Sequence, residues 1–191
     1  TSLDLAADLK VESLLDSITH RAIELVGGTT CSCYLYNPES DQLERSAFGG
    51  PALVASQTTR KRGDGLIGKV WETGQPMLVN DYNAWDTRKE YDQYPTRAVL
   101  GVPIQWGQEF LGVLNIIADP PKTFLQADVE QMSLLAAHAA LAIRNAQLYQ
   151  RAQQEIVERE KIEQAEHEQR LIAETASREL QRILAHEQNL A

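Results

Sequence analysis

The chain has 191 residues, is 43% hydrophobic and carries a formal net charge of −9 at pH 7. That length holds one ordinary domain and an extension. The acid excess, with Arg60-Lys61-Arg62 as the one basic cluster, argues against nucleic acid, whose phosphates need clustered Lys and Arg; no run nears the ~18 apolar residues of a membrane span, and no signal peptide is visible.

In chain order, residues 9–26 predict an amphipathic helix. Val11, Leu14, Leu15, Ile18, Ala22, Leu25 and Val26 recur at three- and four-residue steps, and Gly27-Gly28 stops the pattern. Residues 30–36 (TCSCYLY) and 43–48 read as strands joined by a turn at residues 37–41, hence a hairpin. Cys31 and Cys33 fall on one face of the first strand. That placement does not suit a disulfide, and no further cysteine completes a metal pattern. Two buried thiols in a reducing cytosol is the expectation.

Residues 49–62 are polar and irregular. Gly63-Asp64-Gly65 then opens a short helix over residues 66–73, which Gly74 closes. Residues 77–80 predict a strand. Residues 81–95 predict a long loop holding Tyr82, Trp85, Tyr91 and Tyr94. Residues 98–104 and 109–118 predict two strands joined by a tight turn at Trp106-Gly107-Gln108. Pro103 argues for a bulge or strand end, and Gly112 for a bulge or a close backbone approach. Asn115 is the polar residue of an apolar strand; if buried it needs a hydrogen bond, from a pocket ligand or from a neighbouring loop. Pro120-Pro121 ends the sheet. After Phe124 a helix begins, and residues 125–191 contain no glycine and no proline. Consecutive strands with short turns imply an α+β domain, an antiparallel sheet with helices packed on one face.

The final helix divides the chain into a domain over residues 1–147 and a coiled-coil helix over residues 148–191. Seven-residue steps from Leu148 give Leu148, Glu155, Ile162, Gln169, Ala176, Ile183 and Leu190. The partner positions are Asn145, Ala152, Arg159, Glu166, Ala173, Leu180 and Glu187. Apolar ends and a polar middle make a weak zipper but a workable signalling helix, because a loosely specified seam can shift between arrangements. A parallel homodimer is expected through the terminal helices. Leu134, Leu135, Leu141 and Ile143 are expected to divide between the sheet and the first helix. Ala137, His138, Leu141 and Leu148 are expected to face the partner, beside Val11, Leu14 and Ile18 where these are uncovered. Both ends of the chain read as cut, so a larger protein is expected.

Four linked segments carry a family. GDGLIGKVWETGQPMLVND (residues 63–81), RAVLGVPI (97–104), FLGVLNI (110–116) and Phe124 with Asp128, in that order, resemble a GAF domain over about residues 9–149. The resemblance implies a sheet of five or six antiparallel strands, the terminal helices on one face and long loops enclosing a small-molecule pocket on the other. It implies a cytoplasmic, non-catalytic sensory module of a signalling protein such as a histidine kinase of a two-component system. Within that frame, loop position and strand alternation nominate Trp71, Tyr82, Trp85, Tyr91, Tyr94, Arg97, Val99, Gly101, Asn115 and Ile117 as ligand-lining residues. Arg97 could pair a ligand carboxylate or phosphate, or equally Asp81 or Asp92.

The cofactor is not legible. A covalent bilin is not expected, because residues 81–96 hold neither Cys nor His. The cyclic-nucleotide pattern of the family is matched at Asn115, Phe124 and Asp128 but departs at Ile116 and Val129. Haem and metal are not expected: His20, His138, His167 and His186 lack companions at ligand spacing. His186-Glu187 does not continue into a kinase phosphoacceptor box. No nucleophile–base pair, metal cluster or phosphate loop supports an enzyme. The alternative to a sensor is a dimerisation module whose GAF domain binds nothing.

Overall fold

The computed structural model describes residues 2–51, 58–86 and 97–188, with side chains from residue 11 to residue 178 and at Arg182 within them. In chain order the elements are α1 (Ser2–Val26), β1 (Thr30–Asn37), β2 (Gln42–Gly49), β3 (Thr59–Arg60), α2 (Gly65–Thr73), β4 (Met77–Val79), a turn of 3-10 helix (Tyr82–Ala84), β5 (Ala98–Trp106), β6 (Glu109–Ala118) and α3 (Gln126–Gln188). The chain divides into two compact units, Thr1–Ala146 and Gln147–Ala191. Among the described residues no helix is long and apolar enough to cross a membrane.

The first unit is built on one antiparallel six-stranded sheet in the order β3-β2-β1-β6-β5-β4. Local chemistry makes its two hairpins. At the β1–β2 turn the Glu39 N–H donates to Asn37 Oδ1 at 2.9 Å, and the Asn37 amide donates to Glu44 Oε1 at 3.0 Å; Asn side chains favour such local turns. At the β5–β6 turn Trp106 faces Glu109. The long-range step is the central pair β1–β6, in register from Thr30↔Ile117 to Leu35↔Gly112. β3 is an addition to the expected strands: two residues pairing with Leu43 and Glu44 at the sheet edge.

Side-chain alternation divides the core by sheet face. Cys31, Cys33, Leu100, Val102, Ile104, Leu114 and Ile116 meet Leu15, Ile18, Ala22 and Val26 of α1 and Met132, Leu135, Ala136, Ala139, Ala140 and Ile143 of α3. Burying each large aliphatic side chain contributes about 1.5–3 kcal/mol, so this layer dominates the fold. The terminal helices therefore share one face, as the sequence implied. The short α2 lies on the other: Leu66, Ile67, Val70 and Trp71 pack with Tyr34, Val99 and Val113. That face is thus covered by a helix as well as by loops.

Two expectations about the helices need correcting. Of the four apolar residues assigned to the interior of α3, Leu135 and Ile143 are buried, whereas Leu134 is 60% and Leu141 45% exposed. The buried set falls at 132, 135/136, 139/140 and 143, and a helix can turn one such arc to the sheet. Ile18, expected to face the partner only where left uncovered, is buried in the core, whereas Leu14 is 40% exposed.

Backbone approach explains Gly112 and Pro103. A Cβ on Gly112 would stand 2.1 Å from the Tyr34 carbonyl oxygen and 3.1 Å from Leu35 Cα, beside a register shift between Cys33 and Tyr34. Pro103 pairs with Val113 on one side, but β4 pairs with β5 only as far as Gly101, so no described strand needs an amide from Pro103 on the other.

In the second unit the described residues are helical and their side chains mostly exposed. Glu155–Arg159 and Arg170–Glu174 form ion pairs at 3.1 Å with i, i+4 spacing. Exposed pairs of this kind are worth about 0.3–0.5 kcal/mol. Ile156, Val157, Ile162, Leu171 and Ile172 are exposed apolar residues of this unit.

Candidate functional site

The α2 face of the sheet carries the polar residues. Ser32 of β1, Asn115 of β6 and Gly101 of β5 form one row across three strands, and Thr30, Ile117 and Val99 form the next. Thr30, Ser32 and Asn115 are buried. Ser32 was legible as soon as Cys31 and Cys33 were given to the helix face, since the residue between them points the other way.

At the start of β5 a tight local structure delivers two aromatics. Asp81 Oδ1 accepts the N–H groups of Asn83 and Ala84 at 3.1 and 3.2 Å, capping the 3-10 turn. The Tyr82 N–H donates to the Arg97 carbonyl at 3.0 Å. Tyr82 is thereby buried in the α2-face cluster, with Val99 in the same cluster and Ile117 and Trp85 packed on it. The Tyr82 and Trp85 rings lie 5.5 Å apart at 41°. Arg97 Nε is 2.7 Å from Asp119 Oδ1, the arginine side chain largely covered and the aspartate side chain 42% exposed. Asp119 is thus one acid partner of Arg97, beside the Asp81 and Asp92 considered from the sequence. Asp92, Tyr91 and Tyr94 lie outside the described residues.

Asn115 sits at the centre of the face, 4% exposed, and its Oδ1 is buried without a hydrogen-bond partner among the described residues. The Gly101 position explains how α2 comes down on the sheet: a Cβ there would stand 2.6 Å from Leu66 Cδ2 and 3.1 Å from Val70 Cγ2.

A sequence profile of the GAF domain matches residues 8–144. The chain belongs to the GAF family. Solved structures agree. A GAF domain from a phosphoenolpyruvate-protein phosphotransferase of Coxiella burnetii aligns with a TM-score of 0.65 at 25% identity, covering 73% of this chain and 85% of that one. A type II free methionine-R-sulfoxide reductase from Thermoplasma acidophilum aligns at 0.64 and 16%, covering 73% and 96%. The second GAF domain of DevS from Mycobacterium smegmatis aligns at 0.61 and 16%, covering 74% and 99%.

Within this GAF domain Trp71, Tyr82 and Val99 belong to one buried cluster, with Trp85 and Ile117 packed against it. Trp71 stacks on Phe110 at 6.0 Å and 12°, lies 5.3 Å from the Tyr36 ring, and is capped by Arg62 at 5.1 Å. Phe110 and Asn115 are five positions apart on β6, about 17 Å at ~3.4 Å per residue.

The polar motif residues are fasteners. Asn80 Oδ1 accepts the Phe124 N–H at 2.8 Å, and its amide donates to the Phe124 carbonyl at 3.0 Å. The pair holds buried Phe124 under the sheet edge ahead of α3. Asp128 accepts the Leu125 N–H at 2.7 Å, the reciprocal half of a capping box. Asn80→Ala is expected to lower unfolding stability by about 1–2 kcal/mol, read as a shift in urea midpoint at unchanged slope. An unchanged midpoint would show that the clamp adds nothing.

The two thiols lie on the opposite face, buried against α1 and α3 and unpaired by disulfide. Burial pushes Cys33 up to about 12. Cys31 is raised by burial first and by Cys33 second, against a lowering backbone hydrogen bond at Ser32. Both stay protonated at neutral pH, and the thiolate is the reactive form. Because the folded pKa lies above the unfolded ~8.5, the stability tied to Cys33 is intact below that value and is lost as pH rises toward 12. Cys33→Ala is expected to flatten the alkaline fall in stability relative to the parent chain; parallel profiles would contradict the burial assignment.

Proposed function

We propose that this GAF domain is a non-catalytic, cytoplasmic sensory module that binds a small molecule on the α2 face of its sheet and signals as a homodimer through α3 to an output domain such as a histidine kinase. One observation carries the reading. Leu134 and Leu141 of the first unit, and Leu148 of the second, are spaced by seven residues and are 60%, 45% and 51% exposed. A seven-residue apolar stripe left open on a helix is what a second helix covers. The GAF neighbours from a phosphotransferase and from DevS support the regulatory reading, and the protonated thiols on the far face offer no nucleophile to a catalytic one. The same stripe suits the alternative of a ligand-free dimerisation module, so the two are separated by ligand. In a thermal-shift screen of metabolites, a true ligand at about 100 times its Kd adds roughly 2.7 kcal/mol. A screen of the dimer that yields no stabilising compound would favour the alternative.

A further inference from the structure

We infer that the helix of the second unit pairs with a second copy of this chain, parallel and in register, through the face that carries Ile162, Ala165, Gln169, Ile172 and Ala176. The inference rests on the dimer reading above and deepens it by naming the face and the charges that select the partner. Ile162 and Ile172 are 53% and 68% exposed, so the chain itself leaves them open. With Leu171 and Thr175, Ile172 and Ala176 line a shallow depression on the helix surface. Positions 162, 165, 169, 172 and 176 alternate steps of three and four, the spacing of a two-helix seam. The seven-residue line through Ile162, Gln169 and Ala176 has a companion line on either side. One runs through Ala165 and Ile172, the other through Glu166 and Ala173, the flank read from the sequence. The first brings small and apolar side chains between the copies. The second sets Glu166 against its own counterpart, two carboxylates losing water with no cation between them. The Arg170–Glu174 ion pair stands on the side of the helix turned away from the proposed face.

The charges choose the same face. In a parallel pair, the residue just before a leading seam position meets the residue five later on the other copy. On the proposed face these are Lys161 and Glu166, and symmetry makes two such pairs. On the alternative face they are Glu158 and Glu163, which repel. All four residues are exposed. Gln169 sets the register, because a polar residue inside a seam specifies its alignment. In an unslipped parallel pair it meets its own counterpart, whereas a slip of seven residues sets it against Ile162 or Ala176.

The test begins with charge exchange in the full chain, read as the dimer dissociation constant by sedimentation. Lys161→Glu and Glu166→Lys are each expected to weaken the dimer about fivefold or more, two ion pairs becoming two repulsions, and the double exchange to recover most of the loss. Positions 161 and 166 lie about 140° apart on one helix, so such recovery arises between copies and not within one. The second readout is disulfide capture. Ile172→Cys is expected to oxidise to a linked dimer at least fivefold faster than Ala173→Cys, which is turned aside by about 100°; Cys31 and Cys33 stay buried. A dimer in which Ala173→Cys links as fast or faster, or in which the double exchange recovers nothing, would overturn the face named here and leave the dimer reading in place. A parent chain that is monomeric at micromolar concentration would overturn both.

Discussion

Gly112→Ala is expected to cost the domain upwards of about 3 kcal/mol and to leave much of the protein unfolded at moderate urea. Adding one methyl group to a packed interior ordinarily costs 1–3 kcal/mol, because side chains nearby can shift. Here the methyl would meet backbone: the Tyr34 carbonyl oxygen at 2.1 Å and Leu35 Cα at 3.1 Å. These atoms belong to β1, which is held on its other side by β2 and covered on both faces. Relief requires the central β1–β6 ladder to part, and that pair is the long-range junction between the two hairpins. With total stabilities of about 5–15 kcal/mol, the loss is a large fraction. Far-UV circular dichroism against urea measures it. A loss under about 1 kcal/mol would mean that β1 and β6 can separate locally at Leu35, contrary to the register described.

The sequence was most readable where a pattern repeats. The period of α1, the alternation in β5 and β6 and the glycine-marked turns all fixed elements that the structure contains. It was least readable where a decision turns on space. β3 has two residues and no pattern to find. The apolar arc of α2 announces that the helix packs, but its periodicity does not choose between sheet faces. Leu134 and Leu135 are neighbours in sequence, and a one-residue phase on α3 sends one outward and one into the core. Arg97 was read with acids near it in the chain; a further partner, Asp119, is brought to it by the pairing of Ala98 with Ala118. Trp71 and Tyr82, on different elements, meet in one buried cluster, a meeting that spacing along the chain does not announce. Asn115 was singled out as the polar residue of an apolar strand, but that its oxygen meets no donor among the described residues is a fact of three strands and α2 together.

Leu141→Glu combined with Leu148→Glu is expected to turn a dimer into a monomer at micromolar concentration, with the fold of the first unit intact. Both side chains are about half exposed, so glutamate at either position displaces no packing within the chain and should change the stability of the isolated chain by less than about 0.5 kcal/mol. Between two copies the effect is large. In a parallel pair each heptad residue meets its own counterpart, so the double variant sets two glutamates against two and removes the burial of four leucines, each worth about 1.5–3 kcal/mol when fully covered. Leu135→Glu is the contrasting variant: that residue is buried under the sheet, and its charge would unfold the domain. Light scattering coupled to gel filtration gives the mass, and circular dichroism gives the fold. Direction is read separately by Asn145→Cys, an exposed position on the same seam. In the parallel arrangement the two introduced thiols face each other and oxidise to a linked dimer, while Cys31 and Cys33 stay buried; an antiparallel pair leaves them apart. A parent chain that is monomeric at micromolar concentration, or a double variant that remains dimeric, would remove the signalling role proposed for α3.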